Sequence, residues 1–445
     1  MNDCKMGVGT QSRDSREGRL IFANTINELT YREMSPDSMS LVDLLAFQEL
    51  WLIQPGDVFV TARPLPRDFV KMVCDFRGLE ATAFTCLSPD VSPEEPLLAA
   101  IRRVGMLSEL RKVANANPRM QIRACALDQP LLDISNELGL LIEGYTSPPS
   151  ASLVKRVEHL NTKSGFREVC ELLGLQIAPG FSYISADEVE AAVLCILSEH
   201  RDAVVKCDRG SGGSGQFRIG HSSLKHGSRS LRELDQFVRK PSHRGNTFVV
   251  ETFLPLQLDP TVDVEISEDG PRRLHVGAMD CADGAFSGMS VPAQGFAGKP
   301  LADLHVAADR LGACLFESGY RGFFDIDAGL TNDGNLCLFE ANVRRTSTSL
   351  WDGVLQNIIS GSNGGELHWS LSMKTLPADF NSTDLPVTMR TVPSTDGMYH
   401  EQTVQLAAWA SSPQNASVLF LEAWRSHGTL APVDSSLGNA VLMLV

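Results

Sequence analysis

Between Leu20 and Gly144 the apolar positions switch repeatedly between two periods. The short runs RLIFANT, DVFVTARPL, ATAFTCL and MQIRACAL predict strands. Between them, MSLVDLLAFQELWLI, PRDFVKMVCDFRG and PEEPLLAAIRRVGMLSELRKVANAN carry apolar residues three and four apart and predict amphipathic helices. Strands alternating with helices predict a parallel sheet with helices on its faces. The LLDISNELGLLI stripe that follows reads as core. YTSPPSAS, at Tyr145–Ser152, predicts a linker. Past it the pattern becomes hairpin-like: DAVVK and QFRI flank a glycine-rich segment, and FFDIDAGL and LCLFEAN flank the turn residues TNDGN. SNGGE, around Gly364, marks a second break. HWSLSMKTLPADF, TVQLAAWASS and ASVLFLEAW beyond it predict a small α+β tail.

Composition narrows the class. At 445 residues the chain has room for several domains, and 43% hydrophobic with 21% charged residues is ordinary for a globular protein. A net charge of −15 argues against a general nucleic-acid binder. No apolar run reaches membrane-spanning length, and the polar MNDCKMGVGTQSRDSREGR lacks a signal-peptide core. The ten cysteines are scattered without C-x-x-C spacing, so zinc and a disulfide framework are not expected. A soluble cytoplasmic enzyme fits, with neither membrane nor nucleic acid as partner.

Candidate chemistry concentrates in Gly322–Arg345, GFFDIDAGLTNDGNLCLFEANVRR. Glu340 and Asn342 are two apart and share a strand face, and Asp327 can face them across an antiparallel pair. Two carboxylates and an amide oxygen suit a hard cation such as Mg²⁺. Asp325 shares the face of Asp327, as a supporting group or a surface residue. A second segment, DAVVKCDRGSGGSGQFRIG, places Lys206 on a strand before the loop Gly210, Ser211, Gly212, Gly213, Ser214, Gly215. The loop satisfies G-x-G-x-x-G, but a strand follows it where a Rossmann turn needs a helix. A Walker A loop needs Lys-Ser or Lys-Thr after the last glycine, and the protein-kinase H-R-D and D-F-G are missing. What remains is a lysine beside a hairpin tip whose N–H groups can cover phosphates.

With these residues in order, the chain resembles the ATP-grasp superfamily over about half its length. Asn161-Thr162-Lys163-Ser164 matches the segment carrying that family's first nucleotide-binding lysine, and Lys206 with the glycine loop matches the second lysine and lid. VVETFL resembles the adenine-binding hinge, with Glu251, Thr252, Phe253 and Leu254. Asp259 stands near the family's ribose-binding acid, as Asp rather than Glu and one place out of register. Asp327, Glu340, Asn342 and Arg344 match its D…E-x-N-x-R metal pattern. Domain order, LNTKSGFREV and FEANVRRTSTSLWDG are most similar to the peptide-ligase branch represented in pheganomycin biosynthesis.

The resemblance implies an α/β fold, α+β overall: a disordered stretch at 1–18, a Rossmann-like pre-ATP-grasp domain at 19–150, a nucleotide-binding core at 151–364 with a lid at about 186–248, and the α+β tail at 365–445. It implies ATP with one or two Mg²⁺ (or Mn²⁺) ions held by Asp327, Glu340 and Asn342. Lys163, Lys206 and the loop amides would bind phosphates, and Arg344 would stabilise the transferring group, with Arg345 a further candidate for the substrate carboxylate. The implied reaction joins a carboxylate, activated as an acyl phosphate, to the amine of a peptide or amino acid. A dipeptide-forming amino-acid ligase and an ATP-binding regulatory module remain alternatives, and a homodimer is left open.

Overall fold

The structure is a computed structural model that describes residues 18–30, 46–91, 95–210, 215–223, 229–240, 246–282, 285–359, 366–376, 388–393, 400–411 and 416–426, with positions 39, 42 and 243 between them. Residues 1–17, where the sequence suggests disorder, lie outside it.

The four expected strands form: β1 (Arg19–Phe22), β2 (Val58–Val60), β3 (Thr85–Leu87) and β4 (Gln121–Ala124). They pair in parallel in the order β3-β2-β1-β4. Alternation sends Leu20, Phe22, Val58 and Val60 into one core and Ile21, Ala23 and Phe59 into another, so the sheet is buried on both faces. PRDFVKMVCDFRG supplies helix α1 (Arg67–Arg77). The long helical pattern after it is two helices, α2 (Leu97–Arg103) and α3 (Leu107–Ala116), because Gly105 turns the chain at φ +78°. Within MSLVDLLAFQELWLI, Ala46–Leu52 form a 3-10 helix. The LLDISNEL stripe is helix α4 (Gln129–Leu138), opened by the Asp128 carboxylate on the Leu131 N–H and closed by Gly139.

The core begins with α5 (Ala151–Leu160) and α6 (Lys163–Leu172). A smaller unit follows, with β5 (Gly180–Ile184), α7 (Val189–Ser198), β6 (Ala203–Cys207), β7 (Gln216–Ile219), α8 (Arg229–Val238) and β8 (Phe248–Thr252). Its antiparallel sheet, β5-β8-β6-β7, packs Ala203, Val205, Phe248 and Val250 against α7 and α8 in a core of its own.

The main sheet has ten strands. It uses β9 (Leu256–Leu258), β10 (Pro260–Ser267), β11 (Gly270–Ala282), β12 (Ala285–Val291), β13 (Gly322–Thr331) and β14 (Leu336–Asn342). The helix α9 (Gly298–Glu317) covers one face, and α10 (Ser347–Ile359) follows β14. The sheet continues through β15 (Glu366–Leu376), β16 (Thr388–Pro393), β17 (His400–Ser411) and β18 (Ala416–Ser426), in the order β14-β13-β10-β11-β12-β15-β18-β17-β16 with β9 on β13. The described residues of the α+β tail are therefore strands that extend the core's sheet. The open edge of β12 offers backbone partners to β15, and Trp369 and Leu371 bury into the second core. Among the described residues no helix is long and apolar enough to cross a membrane.

Candidate active site

The acid cluster is built by strand register. Asp327 pairs with Glu340 and Asp325 with Asn342 across β13 and β14, while β10 sets Thr261 opposite Asp327 and Asp263 opposite Asp325. Paired positions share a face, so four carboxylates and an amide gather on one side of three strands. The Asn342 amide donates to Asp325 Oδ1 at 2.8 Å and Asp327 Oδ2 at 3.2 Å, and its oxygen accepts from Arg344. Asp325, left open by the sequence, is 5% exposed and also receives the Asn342 N–H. It orients the amide from beneath.

So many acids together cannot all hold charge cheaply. Burial first, and Glu340 next, push the Asp327 carboxyl up to about 7. Burial, Asp327 and Asp263 push Asp325 well above the usual carboxylate range. Glu340 differs: burial opposes its charge, but Lys163 and Lys206 outweigh that and hold it low. Among the described residues no group of three or more His, Cys, Asp and Glu side chains is arranged as a ready metal site. The donor set still fits a hard cation. Asp327 and Glu340 face each other across the strand pair, and an Asn342 amide turned over would offer oxygen in place of nitrogen.

Two lysines converge on Glu340 from different elements. Thr162 caps α6 by accepting the Gly165 N–H, which puts Lys163 in the first turn. Lys163 Nζ lies 3.2 Å from Glu340 Oε2 and 3.4 Å from the Gly210 carbonyl. Lys206, on β6, lies 2.7 Å from Glu251 Oε2 and 5.0 Å from the Phe339 ring centre. Asp208, which sequence reasoning passed over, ties the two together. Its carbonyl accepts the Lys163 N–H at 2.9 Å, and its carboxylate accepts the Ser164 N–H at 2.8 Å and the Thr247 hydroxyl at 3.0 Å. The available signal was its position, two residues past Lys206 at the root of the glycine loop. Cys207 N–H donates to the Gly215 carbonyl and closes the hairpin, with Gly215 at φ +75°. Ser211, Gly212, Gly213 and Ser214 lie outside the described residues.

The Glu251 carboxylate is already occupied. Arg167 holds its other oxygen at 2.5 Å, and the same guanidinium donates to Ala178 O and Ser182 Oγ. Arg167 is a second residue that the sequence reading missed. Glu251 therefore links Lys206 to Arg167 of α6. Of the hinge amides, Thr252 donates to Pro179 O and Phe253 to Asp202 O. Leu254 follows them at the end of β8. Asp259 is half-buried at the bend before β10, two residues from the partner of Asp327, and burial raises its carboxyl.

Past Asn342 the chain is pinned from two sides. Asn161 Oδ1 accepts the Val343 N–H at 3.1 Å, and the Cys125 carbonyl, at the end of β4, accepts the Arg345 N–H at 2.7 Å. This holds Arg344 beside Asn342. Arg345 turns the other way: its guanidinium stacks 4.2 Å from the Phe323 ring centre and lies 3.9 Å from Glu49, with 9% of the side chain exposed. It braces the first domain against the core and does not stand open beside Arg344. The segment from Arg344 to the start of α10 thus meets the carboxyl end of β4, where open α/β sheets form their crevice.

Residues 46–140 match the family described as Pre ATP-grasp domain. No curated protein matches the chain in sequence. Its fold is similar to that of biotin carboxylase from Campylobacter jejuni, solved with beta-gamma-ATP (13% identity, 92% of this chain and 87% of that one, TM-score 0.56). It is similar to N5-carboxyaminoimidazole synthetase from Staphylococcus aureus, solved with ADP (11% identity, 96% of each chain, TM-score 0.54). A third likeness is the biotin carboxylase domain of Hydrogenobacter thermophilus 2-oxoglutarate carboxylase, solved with MgADP and bicarbonate (14% identity, 92% and 86% covered, TM-score 0.53). At these identities the likeness is one of fold. Residues 46–140 thus carry the pre-ATP-grasp match, and the chain shares the fold of these solved proteins.

Proposed function

We propose that the chain is an ATP-dependent ligase that activates a carboxylate and couples it to an amine, with ADP and phosphate as by-products. The observation that carries this reading is the meeting of Lys163, from α6, with Glu340, from β14, beside Lys206 on the lid sheet. Two cations from separate elements beside a facing acid pair form a site for a polyanion with a divalent cation. Asp327, Glu340 and Asn342 would hold Mg²⁺, which supplies charge neutralisation for the triphosphate. Lys163 and Lys206 would bind phosphate oxygens, exchanging part of their pairing with Glu340 and Glu251. Arg344, hydrogen-bonded to Asn342, would donate to a transferring phosphoryl group and then to a tetrahedral oxyanion.

The γ-phosphoryl group would pass to a carboxylate oxygen, breaking its bond to ADP. The amine nitrogen would then attack the acyl carbon, and phosphate would leave with the C–O electron pair while the nitrogen loses a proton. The lid serves this chemistry by keeping water from the acyl phosphate. For the finer assignment we favour the amine of a peptide or amino acid, in natural-product peptide synthesis, on the resemblance of LNTKSGFREV and FEANVRRTSTSLWDG to that branch.

The test is a product assay with Mg-ATP, a panel of acids that includes bicarbonate, and peptide or amino-acid amines. Amine-dependent ADP and phosphate release with the mass of a new amide is expected. Turnover only with bicarbonate would replace the peptide-ligase assignment with a carboxylating one. ATP binding without turnover on any pair would favour a regulatory module.

A further inference from the structure

One buried cation lies outside the machinery described so far. His275, on β11, pairs across the sheet with Asp263, which pairs with Asp325, which pairs with Asn342. Side chains at paired positions share a face, so one polar row runs through four adjacent strands and ends at Arg344. His275 exposes 5% of its side chain. Its Nε2 lies 3.0 Å from Asp263 Oδ2 and its Nδ1 lies 3.5 Å from Asp352 Oδ1, on α10. The two carboxylates bracket the ring, one at each nitrogen. The ring also meets the edge of Trp369 at 5.1 Å between centres. Burial opposes the proton on this ring, yet Asp263 and Asp352 raise its pKa to about 9.

Asp263 connects this cation to the active-site turn. It is fully buried, and its two oxygens accept the Thr346 hydroxyl at 3.3 Å and the Thr348 hydroxyl at 2.9 Å. Thr346 lies between Arg344 and α10, and Thr348 lies in the first turn of α10. The carboxylate thus lies between the His275 ring on one side and the two threonine hydroxyls on the other.

We propose that His275 is a positioning residue: lodged between Asp263 and Asp352, it fixes the Asp263 carboxylate as a clamp on Thr346 and Thr348, and through that clamp holds Arg344 at the acid cluster. The chemical part of this role rests on the ligase reading above, whereas the clamp does not. His275 would touch no substrate. It would act on the reaction through the turn, so kcat should respond and nucleotide binding should not.

The test compares the full chain with His275→Gln and with Thr348→Val, which keeps the shape of the clamped side chain without its hydroxyl. Hydrogen exchange across 343–350 should quicken at least tenfold in both variants, with β6 and β8 unchanged. With an active acid–amine pair, kcat should fall at least tenfold while KM for ATP stays within threefold. A folded His275→Gln variant with unchanged exchange in that segment would overturn the clamp, with or without turnover. Faster exchange with unchanged kcat would overturn the positioning role and leave a structural pair. A wild-type chain without any ATP-dependent chemistry would sink the ligase reading, and the exchange data would still decide the clamp. If His275→Gln fails to fold, Thr348→Val carries the same readouts.

Discussion

Glu340 faces Asp327 across the strand pair and Lys163 across the cleft, which makes it the most informative single position in the site. Glu340→Gln keeps the shape but removes the charge that a cation and Lys163 would share. Turnover in the ligation assay should drop roughly 100-fold or more, as expected when several kcal/mol of metal-borne stabilisation are lost. Circular dichroism should be unchanged, and near-normal turnover would move the metal elsewhere. Asp327 gives a pH test. Its folded pKa of about 7 stands above the 3.8 of a free carboxyl, so between those values the folded chain holds a proton that the unfolded chain has released. Its contribution to stability is present below 3.8 and is lost as pH rises through about 7. A bound cation must displace that proton at pH 6 but not at pH 8. The rise in Tm on adding Mg²⁺ should therefore be larger at the higher pH, and Asp327→Asn should flatten the difference. An equal rise at both would exclude Asp327 as a ligand.

Local pattern announced most elements around the site, and the exceptions have physical causes. The β13–β14 hairpin was legible because TNDGN separates two runs of strand character. The split between α2 and α3 was harder, because a glycine inside a helical pattern is tolerated as often as it breaks the helix. Asp208 and Arg167 were hidden for another reason: their partners lie 44 and 84 residues away, where no local period reaches. The α5–α6 corner carries the prediction at this scale. A Cβ on Gly165 would stand 2.1 Å from the His159 carbonyl, so Gly165→Ala must push the two helices apart. A loss of about 1–3 kcal/mol is expected in urea titration, of the size found for overpacked sites. Because Lys163 sits two residues earlier, calorimetry should also find weaker ATP binding. Full stability in Gly165→Ala would mean that the corner yields freely.

The whole molecule is joined by cores that cross its domain boundaries. One core runs from Leu20 and Phe22 of the first sheet through α5, α6 and α9 to Ile326 and Leu338 of the main sheet. Another gathers Ile21, Trp51 and Phe59 from the first domain with Trp351 of α10 and Trp369 of β15. The tail therefore supports the first domain from across the molecule. Trp369→Ala should cost about 3–5 kcal/mol, as for other fully buried tryptophans. Faster hydrogen exchange should appear in the first domain's 3-10 helix as well as in β15. An effect confined to β15 would mean that the tail folds as a separate unit.

Periodicity and motif order were enough to indicate the parallel sheet, the β6–β7 strand pair, the D…E-x-N-x-R strands and the two lysines, because each depends on neighbours within a few residues. Which charges meet depends instead on strand order and helix packing across the chain. That is why Glu251, a hinge acid in the sequence, proves to be a brace between Arg167 and Lys206, and why Arg345 turns to Phe323 and Glu49. It is also why His275, an ordinary strand residue by its local pattern, lies buried between two carboxylates. Side-chain period is a property of a segment, whereas a buried charge is tolerated only where distant segments bring its partner.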